Sequence, residues 1–339
     1  MRKLASIQRI AEIKPIEGAD LIDAYRIDGW WVVDKKGAYQ VGDLAIYLEV
    51  DSFVPTELAP FLSKGKEPRV YNGIKGERLR TVRLRKQISQ GLLLPMSVFS
   101  TVESGFLVFG KSNPEGDDVT DILGIQKWEP PPEFSHADAK GLFPSFIPKT
   151  DQARIQNIGR NIEAAKAQNL KFEVTEKLEG SSLTAFLFED RFGVCSRNLE
   201  LKPSEDNTFW ATAIRYGLEE KLRYLGREIA LQGELIGPGI QGNIYKLPQF
   251  EFHIFDVYDI REGKYLLPAD RRALLDDLGL IHAPVVETEF ELTTVPEMIK
   301  LADGLSALYE TLREGLVFKQ VDGDMTFKAI SNEYLIKEK

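Results

Sequence analysis

A lysine framed by acids, followed by glycine and small hydroxyls, stands at Glu176-Lys177-Leu178-Glu179-Gly180-Ser181-Ser182. Such an amine is a nucleophile only when neutral, which takes desolvation or neighbouring cations to displace its proton. Alone, the string reads equally well as a surface turn. Four further strings follow it. Cys195-Ser196-Arg197-Asn198 ends one apolar run, and Gln232-Gly233-Glu234-Leu235-Ile236-Gly237 closes another. His253-Ile254-Phe255-Asp256-Val257 lies inside a third. Arg313-Glu314-Gly315-Leu316-Val317-Phe318-Lys319 precedes Met325-Thr326-Phe327-Lys328. The three histidines, His136, His253 and His282, are far apart in sequence, and Cys195 is the single cysteine. That excludes a cysteine-rich zinc module and makes a histidine-built metal site improbable, so a metal here is a hard cation on carboxylates and water.

In order and spacing, these strings resemble the motif series of the covalent nucleotidyltransferases, the superfamily of polynucleotide ligases and mRNA capping enzymes. Within it the chain is similar to the ATP-dependent, nick-sealing RNA ligases of the branch with an N-terminal OB domain. The resemblance covers nearly the whole chain. It includes Gly42-Asp43-Leu44-Ala45-Ile46-Tyr47, Glu49-Val50-Asp51 and Val54-Pro55, and the lead-in Pro148-Lys149-Thr150-Asp151 with Arg154-Ile155-Gln156-Asn157.

The resemblance implies three chemical steps. Lys177 attacks the α-phosphate of ATP and expels pyrophosphate; the AMP passes to a 5′-phosphate; a 3′-OH then attacks, seals the break and releases AMP. It implies that Glu179, Glu234 and Glu314 hold magnesium, mostly through water, with manganese able to substitute. Glu176, Gly180 and Arg197 would line the nucleotide site, Phe255 would stack on adenine, and Asp256 would position that strand. Lys319 and Lys328 would bind the α-phosphate. A free lysine titrates near ~10.4, so reacting near neutral pH asks for a shift of roughly three units, on the order of 4 kcal/mol. Glu176 and Glu179 push the wrong way, so cations or a metal must win. Two departures from the family pattern stand out. Glu179 occupies a position that is often aspartate, and Lys328 has Thr326 before it and Ile330 after it where a second lysine is common.

Eleven residues follow Lys328, too few for the trailing barrel of a DNA ligase or a capping enzyme. Those two remain the alternatives, beside a nucleic-acid-binding module whose transferase domain is dead. The implied partner is a nicked RNA duplex or an RNA/DNA hybrid, and the implied state is a monomer.

The elements that must position these residues are legible in outline. Residues 1–98 carry short alternating runs such as Trp30-Trp31-Val32-Val33 and Leu44–Val50, with Gly18, Gly29, Gly37, Gly42 and Gly73 marking turns. That pattern predicts a small all-β barrel of OB type. Residues 75–86 hold six cations in twelve positions, Lys75, Arg78, Arg80, Arg83, Arg85 and Lys86. They read either as a solvated strand face or as a strand that contacts nucleic-acid phosphates. Residues 99–150, with Pro130-Pro131-Pro132, read as a linker. Residues 151–339 predict the transferase domain, with a helix over 151–168. Strands follow at 172–178, 183–189, 192–197, 228–236, 250–259, 314–321 and 325–331. Helices are expected near 206–225, 269–279 and 295–309. Strands outnumber helices and do not alternate with them singly, so the class is α+β with antiparallel, ATP-grasp-like sheets.

The bulk composition agrees. The 339 residues are 43% hydrophobic, with a mean hydropathy of -0.22, and suggest two domains. No apolar run is long enough for a membrane span. The charged N-terminus does not read as a signal peptide. A single cysteine suits a reducing, cytoplasmic setting. The net charge of -9 argues against a general nucleic-acid binder and makes the basic run at 75–86 the exception.

Overall fold

The computed structural model describes residues 3–100, 114–129 and 138–337, with His136 and Pro130-Pro131-Pro132 outside them. The chain divides into two compact units, one of Met1–Pro131 with Leu335–Lys339, the other of Pro132–Tyr334.

Among its described residues the smaller unit has strands as its regular elements, apart from short 3-10 turns and its C-terminal residues. Its centre is a sheet in which Leu44–Leu48 lies between Ala5–Arg9 and Leu92–Pro95. The middle strand is buried on both faces, which explains its unbroken apolar run. A meander of Glu12–Pro15, Ile22–Ile27 and Trp30–Lys35 flanks it. There Trp30, Tyr25 and Val32 are fully buried against Tyr47, so Trp30 is core. The expected all-β barrel is present. Residues 114–129 are not linker: Val119 donates to the Ala5 carbonyl, and Gln126–Lys127 pairs with Ser52–Pro55. The apolar set Val119, Leu123 and Ile125 drives this docking, since all three are buried in the same core as Ile7 and Leu48.

The larger unit is built on two sheets among the described residues. One has seven strands, in the order Ala139–Leu142, Leu199–Leu201, Arg191–Cys195, Ser181–Phe188, Ile229–Ile236, Glu251–Asp259, Lys264–Tyr265. The other has five, in the order Ala153–Arg154, Thr326–Ile330, Gly315–Gln320, Lys171–Lys177, Val285–Glu291. Pairing is antiparallel as expected, except that Ala153–Arg154 runs parallel to Thr326–Ile330.

Three helices differ from expectation. Residues 151–168 begin as that short strand, because Arg154 is extended and paired, and the helix occupies Gly159–Ala167. The helix over 206–225 is broken in two at Gly217, whose φ of 60° is left-handed. The helix from Val295 ends at Ala302. The residues after it fold back, and the Ala307 amide donates to the Glu176 carboxylate (2.8 Å).

Buried charge ties the two sheets together. Glu173 of the five-stranded sheet is fully buried and pairs with Arg271 and Arg272 of helix Pro268–Asp277. Arg271, also fully buried, lies 3.8 Å from Asp256 of the seven-stranded sheet. Asp256 pairs in turn with Lys319 of the five-stranded sheet. Arg271 Nε donates to His282 Nε2 (2.9 Å), which leaves Nδ1 to donate to the Ala283 carbonyl. Burial, and then the Arg271 charge, hold the His282 imidazole down at about 4. The unfolded chain accepts a proton there from about pH 6.5 downward. Stability is therefore intact above pH 6.5 and is lost as pH falls towards 4, by up to about 3 kcal/mol. We expect urea midpoints to fall over that window, and the fall to shrink in His282→Gln, which takes up no proton. Equal slopes in the two proteins would show that another group carries the acid sensitivity.

Candidate active site

Lys177 is the last residue of the strand Lys171–Lys177. Leu178, Glu179 and Gly180 then carry the chain from the five-stranded sheet into Ser181–Phe188 of the other. The string first read as a turn is therefore the crossover between the two sheets. Gly180 is fixed by the crossing. A Cβ there would stand 2.5 Å from the Leu235 carbonyl oxygen and 2.9 Å from Glu234 Cγ. Only glycine lets the strands approach so closely. The Glu179 amide donates to the Tyr245 hydroxyl (2.7 Å), which fixes the outgoing end.

The neighbouring strands supply the partners. Lys177 pairs in register with Gly315, which brings the preceding residue, Glu314, alongside. Lys177 Nζ donates to Glu314 Oε2 at 2.6 Å, with the two side chains 25% and 19% exposed. Glu234 stands opposite Ser182 on the next strand and acts on the same amine. Burial pushes the Lys177 amine down, but the Glu314 and Glu234 carboxylates outweigh it and the opposing Arg197, so the amine is held above the ordinary lysine value. Without nucleotide, Lys177 is an ammonium ion. Lys328 shows the opposite balance. Burial, then the charges of Lys177 and Arg154, bring it down to about 7.

Phe255 owes its exposure to a β-bulge. Gln232 pairs with Asp256 and Gly233 with Ile254, so Phe255 is skipped in the ladder. A bulge re-aims the side chain and frees a carbonyl. That carbonyl accepts from Lys319 Nζ at 2.6 Å, and the same ammonium lies 5.5 Å from the Phe255 ring centroid. Glu176, almost fully buried, keeps one carboxylate oxygen, Oε1, without a hydrogen-bond partner.

The comparisons with known proteins fit this layout. The RNA ligase family model matches residues 170–331, and an OB-fold domain model matches residues 4–96. No curated protein matches the sequence. Among solved structures, an apo variant of the Naegleria gruberi RNA ligase aligns with a TM-score of 0.91 at 45% identity, over 100% of this chain and 99% of that one. A lysine variant of that enzyme with ATP and Mn, and a glutamate variant with AMP and Mn, each align at 46% identity and a TM-score of 0.91, over 99% of both chains. This chain belongs to the RNA ligase family.

Of the residues expected in the ligase site, Lys177, Glu234, Glu314, Arg197 and Lys328 are brought together electrostatically. Glu176, Glu179 and Gly180 flank Lys177 in the crossover, and Phe255 stands on the bulge. Arg197 is half-exposed and lies 3.3 Å from Asp151. Lys319 departs from expectation. It is 7% exposed, and its ammonium is directed at the Phe255 carbonyl and the Asp256 carboxylate. A cation so engaged holds the bulge in place. The basic run of the small unit also departs. It is two strands, Ile74–Arg78 and Val82–Leu84. Arg78 is tied to Asp51 at 2.6 Å, and Lys75 is paired with Glu67 at 2.8 Å. Arg80 is half-buried, whereas Arg83, Arg85 and Lys86 are exposed.

Arg154 was missed as a site residue. It is buried, and the parallel pairing sets it beside Lys328. Its place in the lead-in string was the available signal. Tyr245 had none.

The ion pair makes a checkable statement about the nucleotide-free protein. An acylating amine reagent should modify Lys177 more slowly at pH 8 than a free lysine, and Glu314→Gln should speed that modification. Peptide mapping reads both rates; no acceleration in the variant would show that Glu314 does not hold the proton.

Proposed function

We propose that this RNA ligase seals 3′-OH/5′-phosphate nicks in duplex nucleic acid through a lysyl-AMP intermediate on Lys177. The observation that supports this best is the Lys177–Glu314 pair at the sheet crossover, with Glu234, Arg197 and Lys328 acting on the same locus. The relatives captured with ATP, or with AMP, and Mn support ATP as the nucleotide and a divalent cation as its companion.

Lys177 Nζ loses a proton and attacks the α-phosphorus, and the bond to the β-phosphate oxygen breaks. An oxygen of the 5′-phosphate then attacks the same phosphorus and the amine leaves, regaining a proton. The 3′-OH attacks the adenylylated 5′-phosphate and AMP departs. Lys328 and Arg197 face the charge that the α-phosphate gains, and a fixed cation at such a centre is worth about 10²–10³ in rate. A phosphate bound near Lys328 raises its proton affinity and so restores the positive charge that burial discourages. Phe255 offers a ring for adenine, and the free carboxylate oxygen of Glu176 offers an acceptor to the nucleotide.

Glu179, Glu234 and Glu314 fit a hydrated magnesium or manganese ion. An ion of this kind keeps most of its waters and needs few direct protein ligands. When bound, the ion supplies positive charge that offsets the triphosphate and favours the neutral amine of Lys177. A monomer in a reducing, cytoplasmic compartment is the matching setting; among the described residues no helix is long and apolar enough to cross a membrane.

Incubation with radiolabelled ATP and magnesium should give a covalent protein–AMP band that Lys177→Ala abolishes. A band of equal strength in that variant would overturn the assignment. With the wild-type protein, nicks ending in one ribonucleotide at the 3′-OH should seal faster than all-DNA nicks. Equal rates would remove the RNA preference.

A further inference from the structure

The strongest unexplained feature lies in the small unit. Val82–Leu84 and Gln87–Ser89 form a separate two-stranded ribbon, with Leu84 paired to Gln87. Two residues therefore make the whole turn, Arg85 at φ 49° and Lys86 at φ 71°. Positive φ at both central positions defines a type I′ turn, which asparagine and glycine fill with least strain. Two long cations in the left-handed region carry a steric cost there, and a cost kept in a fold is a pointer to use.

The ribbon's surface adds a second observation. All five residues Val82–Lys86 are exposed, Val82 and Leu84 being 44% and 40% accessible. The ribbon is anchored at its base, where Ser89 Oγ accepts from the Val33 amide (2.9 Å) and the Gln90 amide donates to the Trp31 carbonyl (2.8 Å). In a chain of net charge -9, this finger carries Arg85 and Lys86 side by side at its tip, while the neighbouring Arg78 and Lys75 are neutralised by acids. Its charge suits a polyanion and no other class of partner.

We infer that the Val82–Ser89 ribbon is a finger that grips the nicked duplex, with Arg85 and Lys86 on backbone phosphates and Val82 and Leu84 against the sugars. This rests on the nick-sealing reading and sharpens it. The contact is a projecting two-residue tip, and Lys75 and Arg78 are not part of it. A two-stranded ribbon is narrow enough to follow a groove, and contacts to phosphate leave the grip indifferent to sequence.

The decisive variant replaces Arg85-Lys86 by Asn-Gly, the pair that best fits a type I′ turn. The finger keeps its shape and loses its charge. We expect its thermal midpoint to match or exceed the wild type's, and its protein–AMP band to be unchanged. Binding to a nicked RNA duplex should weaken by about tenfold per cation at 0.1 M salt, since each released counterion contributes ~0.9 to the log–log salt slope. The slope itself should fall by about two, and the KM for nicked duplex should rise with little change in kcat. Arg78→Ala serves as the comparison and should leave the slope unaltered. An unchanged slope in the Asn-Gly variant, with normal sealing, would overturn the finger and leave the ligase reading intact. Loss of the protein–AMP band in wild type would instead sink the reading beneath it. A lower thermal midpoint in the Asn-Gly variant would show that the two cations stabilise the turn, and would remove the strain argument.

Discussion

The site depends on a buried charge network that holds two sheets at a fixed offset. Lys319 and Glu173 project from one sheet, Asp256 from the other, and Arg271 bridges them from a helix. Buried ion pairs add little net stability, because desolvation cancels most of the attraction, but breaking one partner leaves an unmatched charge at a cost of roughly 3–5 kcal/mol. That asymmetry turns the network into a register device. Asp256 follows the bulged Phe255, and Lys319 takes up the carbonyl that the bulge releases. The irregularity that presents Phe255 is thus fixed by the contact that fixes the distance between the sheets.

Lys177, the proposed nucleophile, sits where the chain crosses between the sheets, and its amine rests protonated. Glu314 and Glu234 keep Lys177 protonated, which protects the amine from casual reaction. Under the proposed mechanism, a hydrated cation held by those carboxylates would take both acids from the amine at once. Arg154 stands beside Lys328 in the parallel register. The positive field near the amine therefore includes a guanidinium, which cannot be switched off by pH as Lys328 can.

Much of this was legible in the sequence, and the pattern of what was not is instructive. Strands with alternation or a buried run, such as Ile229–Ile236 and Glu251–Asp259, were readable because burial dictates their periodicity. The motif residues were readable because their chemistry restricts their type. Ala139–Leu142 was not, since three of its four residues are exposed and none is buried, which leaves no pattern. The Lys319 pairing with Asp256 was not legible for a deeper reason. A lysine that neutralises a buried aspartate and one that grips a phosphate look identical until the opposite sheet is in place. The basic run at 75–86 concealed a similar ambiguity, resolved only when Asp51 and Glu67 were seen to neutralise two of its cations.

Gly180 has a consequence for reading other chains. Its missing side chain makes room for the Leu235 carbonyl where the backbone crosses between sheets, so the fold itself demands it. A descendant that had abandoned catalysis and lost its lysine would still need that glycine to fold. Glycine at this position therefore marks ancestry, and only the charged residues around it report whether a protein still works.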